Sequence, residues 1–174
     1  GIIGTGWIAH EMGEALNRMN HGIYGVVSGR YENALSYQKE FDVKHVYHTI
    51  EEMLEDSHID IVYIATPHNL HYEEMMKALE AGKHVICEKP FTSRVEELEE
   101  LNNIAKSKKL LLLEAISTQY LPNVLKIKEL LPELGQIKIF SANYSQYSSR
   151  YDAFKQGNIL PAFDYTKSGG ALMD

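Results

Sequence analysis

The sequence predicts an α/β fold, a doubly wound parallel sheet covered by helices, followed by the start of an α+β second domain with a mainly antiparallel sheet. Three observations carry this expectation. Short β-type runs alternate with segments whose apolar residues recur at helical spacing, the signature of strands joined by crossover helices. Two of the runs, "DIVYIAT" (60–66) and "KLLLLEA" (109–115), are apolar enough to be buried strands. A glycine turn, "GTG", follows the first run directly and opens the first helical segment.

The elements follow in order. "GII" leads into a helix over 7–19, in which Ile8, Met12, Ala15, Leu16 and Met19 share a face. "IYGVV" (23–27) reads as the second strand, "YENALSYQKEF" (31–41) as the second helix and "HVY" (45–47) as a short third strand. "IEEMLED" (50–56) is a small helix, "DIVYIAT" the fourth strand, and "HYEEMMKALEAG" (71–82) a helix closed by Gly82. "HVIC" (84–87) is the fifth strand. In "TSRVEELEELNNIAKS", Ser93 and Glu96 stand at capping-box spacing, and "KLLLLEA" is the sixth strand.

The pattern changes near Thr118. "YLPNVLKIKELLPELG" reads as a helix with a proline near its start and Gly135 past its end. "QIKIFSANYSQY" alternates as a half-exposed antiparallel strand does, with Phe140, Ala142 and Tyr144 on one face. We therefore expect a domain over 1–118 and the beginning of a second, incomplete one over 119–174. "GII" is shorter than an ordinary strand and "SGGALMD" stops at what reads as a helix start, so the sequence is expected to be cut at both ends.

Composition narrows the function classes. The 174 residues are 44% hydrophobic and 24% charged, with no apolar run near the ~18 residues that span a bilayer. A net charge of −7 and a pI near 5.6 disfavour a nucleic-acid partner. One cysteine, Cys87, sits inside a strand-like run, which suits packing in a reducing, cytoplasmic compartment. None of the eight histidines falls at metal-ligand spacing with a Cys or carboxylate cluster, so no metal site is expected.

Gly4, Gly6 and Ala9 stand at the spacing G-x-G-x-x-G/A, the Rossmann-type dinucleotide turn. There the glycines let backbone approach a diphosphate, and the amides of Trp7 and Ile8 face it at the positive end of a helix dipole. Thr5 lies within the same turn. At the tip of the second strand an acidic residue commonly holds the ribose 2′-hydroxyl, but here the tip reads "VVSGRY". Ser28 and Arg30 suit a 2′-phosphate instead, which favours NADP while NAD stays possible. Arg30 alone also fits a solvated loop cation.

Further along stand Ala65-Thr66-Pro67, His71, Ala78-Leu79, Ala81-Gly82-Lys83-His84-Val85 and Glu88-Lys89-Pro90. This ordered set resembles the Gfo/Idh/MocA family (glucose-fructose oxidoreductase and inositol dehydrogenase), whose Rossmann domain carries A-T-P-x-x-x-H, A-L-x-A-G-K-H-V and E-K-P. "SGGALMD" resembles the family's G-G-G-A-L-x-D motif. The resemblance implies an NAD(P)-dependent oxidoreductase moving hydride between the nicotinamide and a hydroxyl or carbonyl carbon of a sugar, polyol or diol. It makes Lys89, often before a cis proline peptide, the residue acting on the reacting oxygen, and Asp174 its partner with a His or Tyr lying beyond residue 174.

The resemblance also assigns Glu88 to a ribose hydroxyl, Ala65, Thr66 and Pro67 to the cofactor-binding loop, and Asn69 and His71 to the cofactor's ribose. Pro90 shapes the turn beside Lys89. Many relatives have asparagine directly after the proline; here His68 intervenes and Asn69 follows. Gln119 replaces an arginine that several relatives carry, which favours a neutral polar substrate over an acidic one. A homo-oligomer is expected, with the tyrosine-rich "YSQYSSRYDAF" serving an interface or a cleft. The alternative is a non-catalytic NAD(P)-binding regulatory or structural protein of the same fold.

Overall fold

The computed structural model describes residues 1–143, 145–148, 150–160 and 163–164. The strands are β1 (Ile2–Ile3), β2 (Gly25–Val27), β3 (His45–Tyr47), β4 (Ile61–Ile64), β5 (His84–Glu88) and β6 (Leu112–Ala115). All pair in parallel, in the order β3-β2-β1-β4-β5-β6. Between them run α1 (Trp7–Arg18), α2 (Tyr31–Phe41), α3 (Ile50–Glu55), α4 (His71–Glu80) and α5 (Val95–Lys108). Beyond β6 lie α6 (Pro122–Leu130) and α7 (Tyr151–Lys155).

Register explains how so short a β1 organises the sheet. Ile2 is aligned with Val26 and Tyr63, and Ile3 with Val27 and Ile64. Because side chains alternate across a strand, the two rows point to opposite faces. Ile2, Val26 and Tyr63 join Ala34, Tyr37 and Phe41 in the core under α1 and α2. Ile3, Val27 and Ile64 join Met53, Met75 and Leu101 in the core under α3, α4 and α5. Cys87 belongs to this second core, where burial pushes its thiol up and away from reactivity.

The glycine turn is also a packing device. Ala9 and Gly13 are the buried residues of α1, and a Cβ built on Gly13 would stand 2.7 Å from Tyr37 Oη and 2.8 Å from a Phe41 ring carbon. The smallness of these residues lets α1 and α2 approach until the Tyr37 hydroxyl donates to Ala9 O at 2.7 Å.

Several expectations are revised. Met19, placed on the inward face of the first helix, is the C-cap of α1 and 64% exposed; the helix packs through its small residues, which turns that position outward. The "KLLLLEA" run is an edge strand, with Leu111 and Leu113 exposed, because β6 has one neighbouring strand and is covered on one face. The N-cap of α5 is Arg94, not Ser93; Glu97, rather than Glu96, reaches back to accept from the Ser93 amide at 3.3 Å. Pro132 turns the end of the 120–135 helix into a 3-10 segment, Leu131–Leu134, stopped at Gly135.

Residues 136–143 form no strand. Among the described residues no strand lies beside them, and an alternating sequence without a ladder partner leaves its backbone groups to water. Tyr144 of that expected strand lies outside the described residues, as do Asp174 and all of "SGGALMD".

Gly13→Leu is expected to lower stability by about 1–3 kcal/mol through overpacking against Tyr37 and Phe41, read as a lower midpoint in chemical denaturation with an unchanged slope.

Candidate functional site

The strand order reverses between β1 and β4, and a crevice opens there at the carboxyl ends of the strands, where ligands bind in open α/β sheets. The cleft has a volume of about 890 Å³, within the ~300–1,000 Å³ usual for small-molecule sites. Its floor is the turn from β1 into α1. Gly4, at φ +97°, donates its amide to Val27 O at 2.9 Å. A Cβ on Gly4 would stand 2.6 Å from Ala65 O, so a side chain there would push β1 from β4. Gly6, the N-cap of α1, has nothing within 4 Å of where its Cβ would lie. That side of the turn is open.

The neighbouring wall comes from β2 and β3. Thr5 Oγ1 and Ser28 Oγ lie 2.8 Å apart and tie the glycine turn to the tip of β2. His48 lines the cleft just beyond β3 and stacks on Tyr31, with ring centroids 4.0 Å apart at 12°. The Glu52 carboxylate accepts from His48 N at 2.9 Å while Thr49 Oγ1 accepts from Glu52 N at 3.1 Å, which fixes the turn into α3. Arg30 is the exposed N-cap of α2, adjacent in sequence to the lining residue Gly29 and itself outside the lining.

The opposite wall follows β4. Ala65 N donates to Ile3 O at 2.8 Å, after which Thr66 and Pro67 line the cleft and a 3-10 turn, His68–Leu70, leads into α4. Asn69 is exposed on that turn, outside the lining. His71 departs from expectation. It is fully buried, with Nδ1 2.9 Å from Pro90 O and Nε2 2.9 Å from Thr66 O. Both partners only accept, so a neutral ring donates to one and a protonated ring to both. Neither nitrogen faces a ribose; the ring joins the loop after β4 to the loop after β5.

Three residues along α4, Glu74 is 7% exposed, lines the cleft and accepts from the Thr66 hydroxyl. Burial pushes its carboxyl up to about 7, against the lowering effects of Thr66 and Lys77. At the end of β5, Glu88 Oε1 accepts from Tyr63 Oη at 2.6 Å and its other oxygen from Lys89 N at 3.3 Å. Lys89 is exposed, and its bond to Pro90 is cis.

The cleft thus brings together Gly4, Thr5, Gly6, Ser28 and the Ala65–Pro67 stretch. Trp7 and Ile8, on the first turn of α1, and Glu88, Lys89 and Pro90, on the loop after β5, lie outside its lining. Sequence reading missed His48, Glu74 and Arg150, which do line it. Only Glu74 left a signal, its three-residue spacing from His71.

Residues 1–115 match the family described as the oxidoreductase family with an NAD-binding Rossmann fold, Gfo/Idh/MocA. The chain belongs to this family. It is 40% identical over 174 residues to a scyllo-inositol 2-dehydrogenase (NADP(+)) of Bacillus subtilis, covering 99% of this chain and 53% of that protein. It is 35% identical over 192 residues to a D-xylose 1-dehydrogenase (NADP(+)) of Hypocrea jecorina, covering 100% of this chain and 49% of that one. The chain spans about half the length of these curated relatives. Among solved structures, the 3-ketoreductase KijD10 of Actinomadura kijaniata, in complex with NADP and TDP-benzene, superposes with a TM-score of 0.71 at 31% identity, covering 76% of this chain and 41% of that one.

The residues of this Gfo/Idh/MocA chain fit a dinucleotide. Backbone is exposed at Gly6, no side chain caps α1, and no acidic residue stands in its first turn. Two carboxyl groups, Glu51 and Glu74, stand in the wall of the cleft, and of these Glu74 is the buried one. Among the described residues no helix is long and apolar enough to cross a membrane, and no three His, Cys, Asp or Glu side chains converge as metal ligands.

His71→Leu is expected to cost roughly 1–3 kcal/mol by leaving the Thr66 and Pro90 carbonyls unpaired in a buried setting. Thermal unfolding of the purified variant checks it.

Proposed function

We propose that this chain binds NADP(H) and belongs to a dehydrogenase or reductase that moves hydride between the nicotinamide and a hydroxyl or carbonyl carbon of a sugar, polyol or diol. The observation that carries the proposal is a cleft at the β1/β4 switch point with an open glycine turn, Lys89 directly following the last residue of β5 at the same carboxyl edge. The names of the relatives, NADP-dependent dehydrogenases of scyllo-inositol and D-xylose, support the cofactor and the polyhydroxylated substrate class. Gln119, exposed on the 3-10 turn Ser117–Tyr120, supports a neutral substrate, since it offers no cation to a carboxylate.

In this reading Gly4, Thr5, Gly6, Trp7 and Ile8 hold the diphosphate through backbone and helix dipole. Ser28 and Arg30 hold the 2′-phosphate, and Thr66 and Pro67 close the opposite side. The bound dinucleotide supplies or accepts the hydride. Lys89 holds the reacting oxygen through its ammonium, stabilises the negative charge that grows there, and exchanges the hydroxyl proton. Tyr63 fixes one oxygen of Glu88, so Glu88 has only part of its accepting capacity for a ribose hydroxyl. Asp174 joins Lys89 in the catalytic cluster. Residues 1–118 serve the dinucleotide, and 119–174 begin a domain for substrate and for homo-oligomer contacts.

Lys89→Met is expected to lower kcat by ~10²-fold or more, the size of losing one charge-stabilising donor, while dinucleotide affinity stays within about threefold. Unchanged turnover on the best substrate from a polyol and sugar panel would remove this mechanism. Arg30→Ala is expected to weaken NADPH binding by roughly tenfold, the loss of one charge-assisted contact to phosphate, and to leave NADH binding unchanged in parallel fluorescence titrations. Equal losses for the two would refute the 2′-phosphate assignment.

A further inference from the structure

We propose that Glu74 is a positioning residue for the cofactor: it acts through Thr66 and couples dinucleotide binding to the uptake of one proton. The inference rests on the dinucleotide reading above and extends it to a residue that neither the glycine turn nor the loop after β5 involves.

Glu74 stands in the first turn of α4, 7% exposed, and borders the cleft together with Thr66. The Thr66 hydroxyl donates to Glu74 Oε2, while the Thr66 carbonyl lies 2.9 Å from His71 Nε2. One helical turn therefore holds Thr66 from two sides. The charged neighbours do not neutralise Glu74. On its own helix Glu73 repels it, and Lys77, which attracts it, is committed to Glu51 of α3 at 2.7 Å. From the sheet, Cys87 of β5 is a buried thiol held neutral by its burial. Around the rest of the cleft stand Glu51, His48 and Arg150. Among the described residues Glu74 makes no ion pair with Lys, Arg or His.

The two protonation states offer the cofactor different walls. With Glu74 ionised, the Thr66 hydrogen is used on the carboxylate, and a negative charge borders a site for an anionic diphosphate. With Glu74 neutral, its own O–H donates to Thr66 Oγ1, the threonine hydrogen is released toward the cleft, and the charge is gone. Both changes favour an anion. The proton comes from solvent and stays on the Glu74 carboxyl, so no other group changes its charge.

The sign follows from linkage. Burial already places the carboxyl near 7 in the free protein, and a bound anion raises it further. Affinity is therefore greatest below about pH 7 and falls by up to roughly tenfold per pH unit above it, until the carboxyl ionises in the complex as well.

The test is a fluorescence titration with NADH, which has no 2′-phosphate to titrate, from about pH 6 to about pH 8.5. Wild type, Glu74→Gln, Thr66→Ser and Thr66→Val are compared. The wild-type dissociation constant is expected to rise at least tenfold across the range. That of Glu74→Gln, whose amide donates to Thr66 at every pH, is expected to stay flat near the wild-type acid value. Thr66→Ser keeps most of the slope, and Thr66→Val loses the hydroxyl-mediated part of it. Calorimetry near pH 8 in two buffers of different ionisation enthalpy is expected to show uptake approaching one proton in wild type and none in Glu74→Gln. If Glu74→Gln does not fold, the threonine pair and the wild-type proton count decide. Equal slopes in wild type and Glu74→Gln, or no proton uptake by wild type, would overturn the role of Glu74 while leaving the dinucleotide reading intact. Absence of NADH and NADPH binding at every pH would overturn both.

Discussion

The backbone of Gly4 lies so close to the carbonyl of Ala65 that no side chain fits between them, and the rest of the site depends on this approach. It holds β1 against β4 at the point where the strand order reverses. Gly4 also bonds to Val27, so three strand ends are gathered within one residue's reach. The cleft that results is a consequence of topology: crossovers leave β1 in opposite directions, and their loops separate above it. Gly6 keeps the opening clear, and Ala9 and Gly13 let α1 settle onto α2 behind it.

Around this floor the chain builds the walls with hydrogen bonds between loops that are distant in sequence. Thr5 meets Ser28, His71 joins the loop after β4 to the loop after β5, and Tyr63 anchors Glu88 beside Lys89. Buried polar groups held in this way specify one arrangement, since each would be costly to leave unpaired. The charge pattern is less uniform. An acidic chain, −7 overall, presents an open glycine turn and the N-terminus of α1 to the cleft, with Arg30 and Arg150 near the edges. Glu74 runs against that pattern, and its burial explains how it is tolerated: in a dry wall the neutral carboxyl is within easy reach.

The fold was largely legible because its signals are local. Helix α2 and strand β3 have the bounds that their local patterns give them, and Gly82 ends α4 at φ +77° as a C-terminal glycine does. The departures have non-local causes. Four consecutive leucines read as buried from within the segment, yet whether Leu111 and Leu113 are covered depends on what packs over the edge of the sheet. Residues 136–143 alternate correctly for a strand, but pairing requires a second chain segment that no local pattern supplies. The one-residue shift at Ser93 goes with the helix starting at Val95 behind an Arg94 N-cap, so that Glu97 rather than Glu96 accepts from the Ser93 amide.

By itself, the sequence determined the order of strands and helices, the glycine geometry of the first turn and the identity of Lys89 at the end of a strand. Each of these is set by residues within a few positions of one another. The tertiary structure alone decided which polar side chains turn inward. His71 and Glu74 are three positions apart on one helix, and both read locally as ordinary first-turn residues. Their burial, their partners and the raised pKa of Glu74 arise only when α4 is pressed against the loops after β4 and β5. Electrostatic energies depend on how much water is removed around a group, and that is a property of the assembled fold.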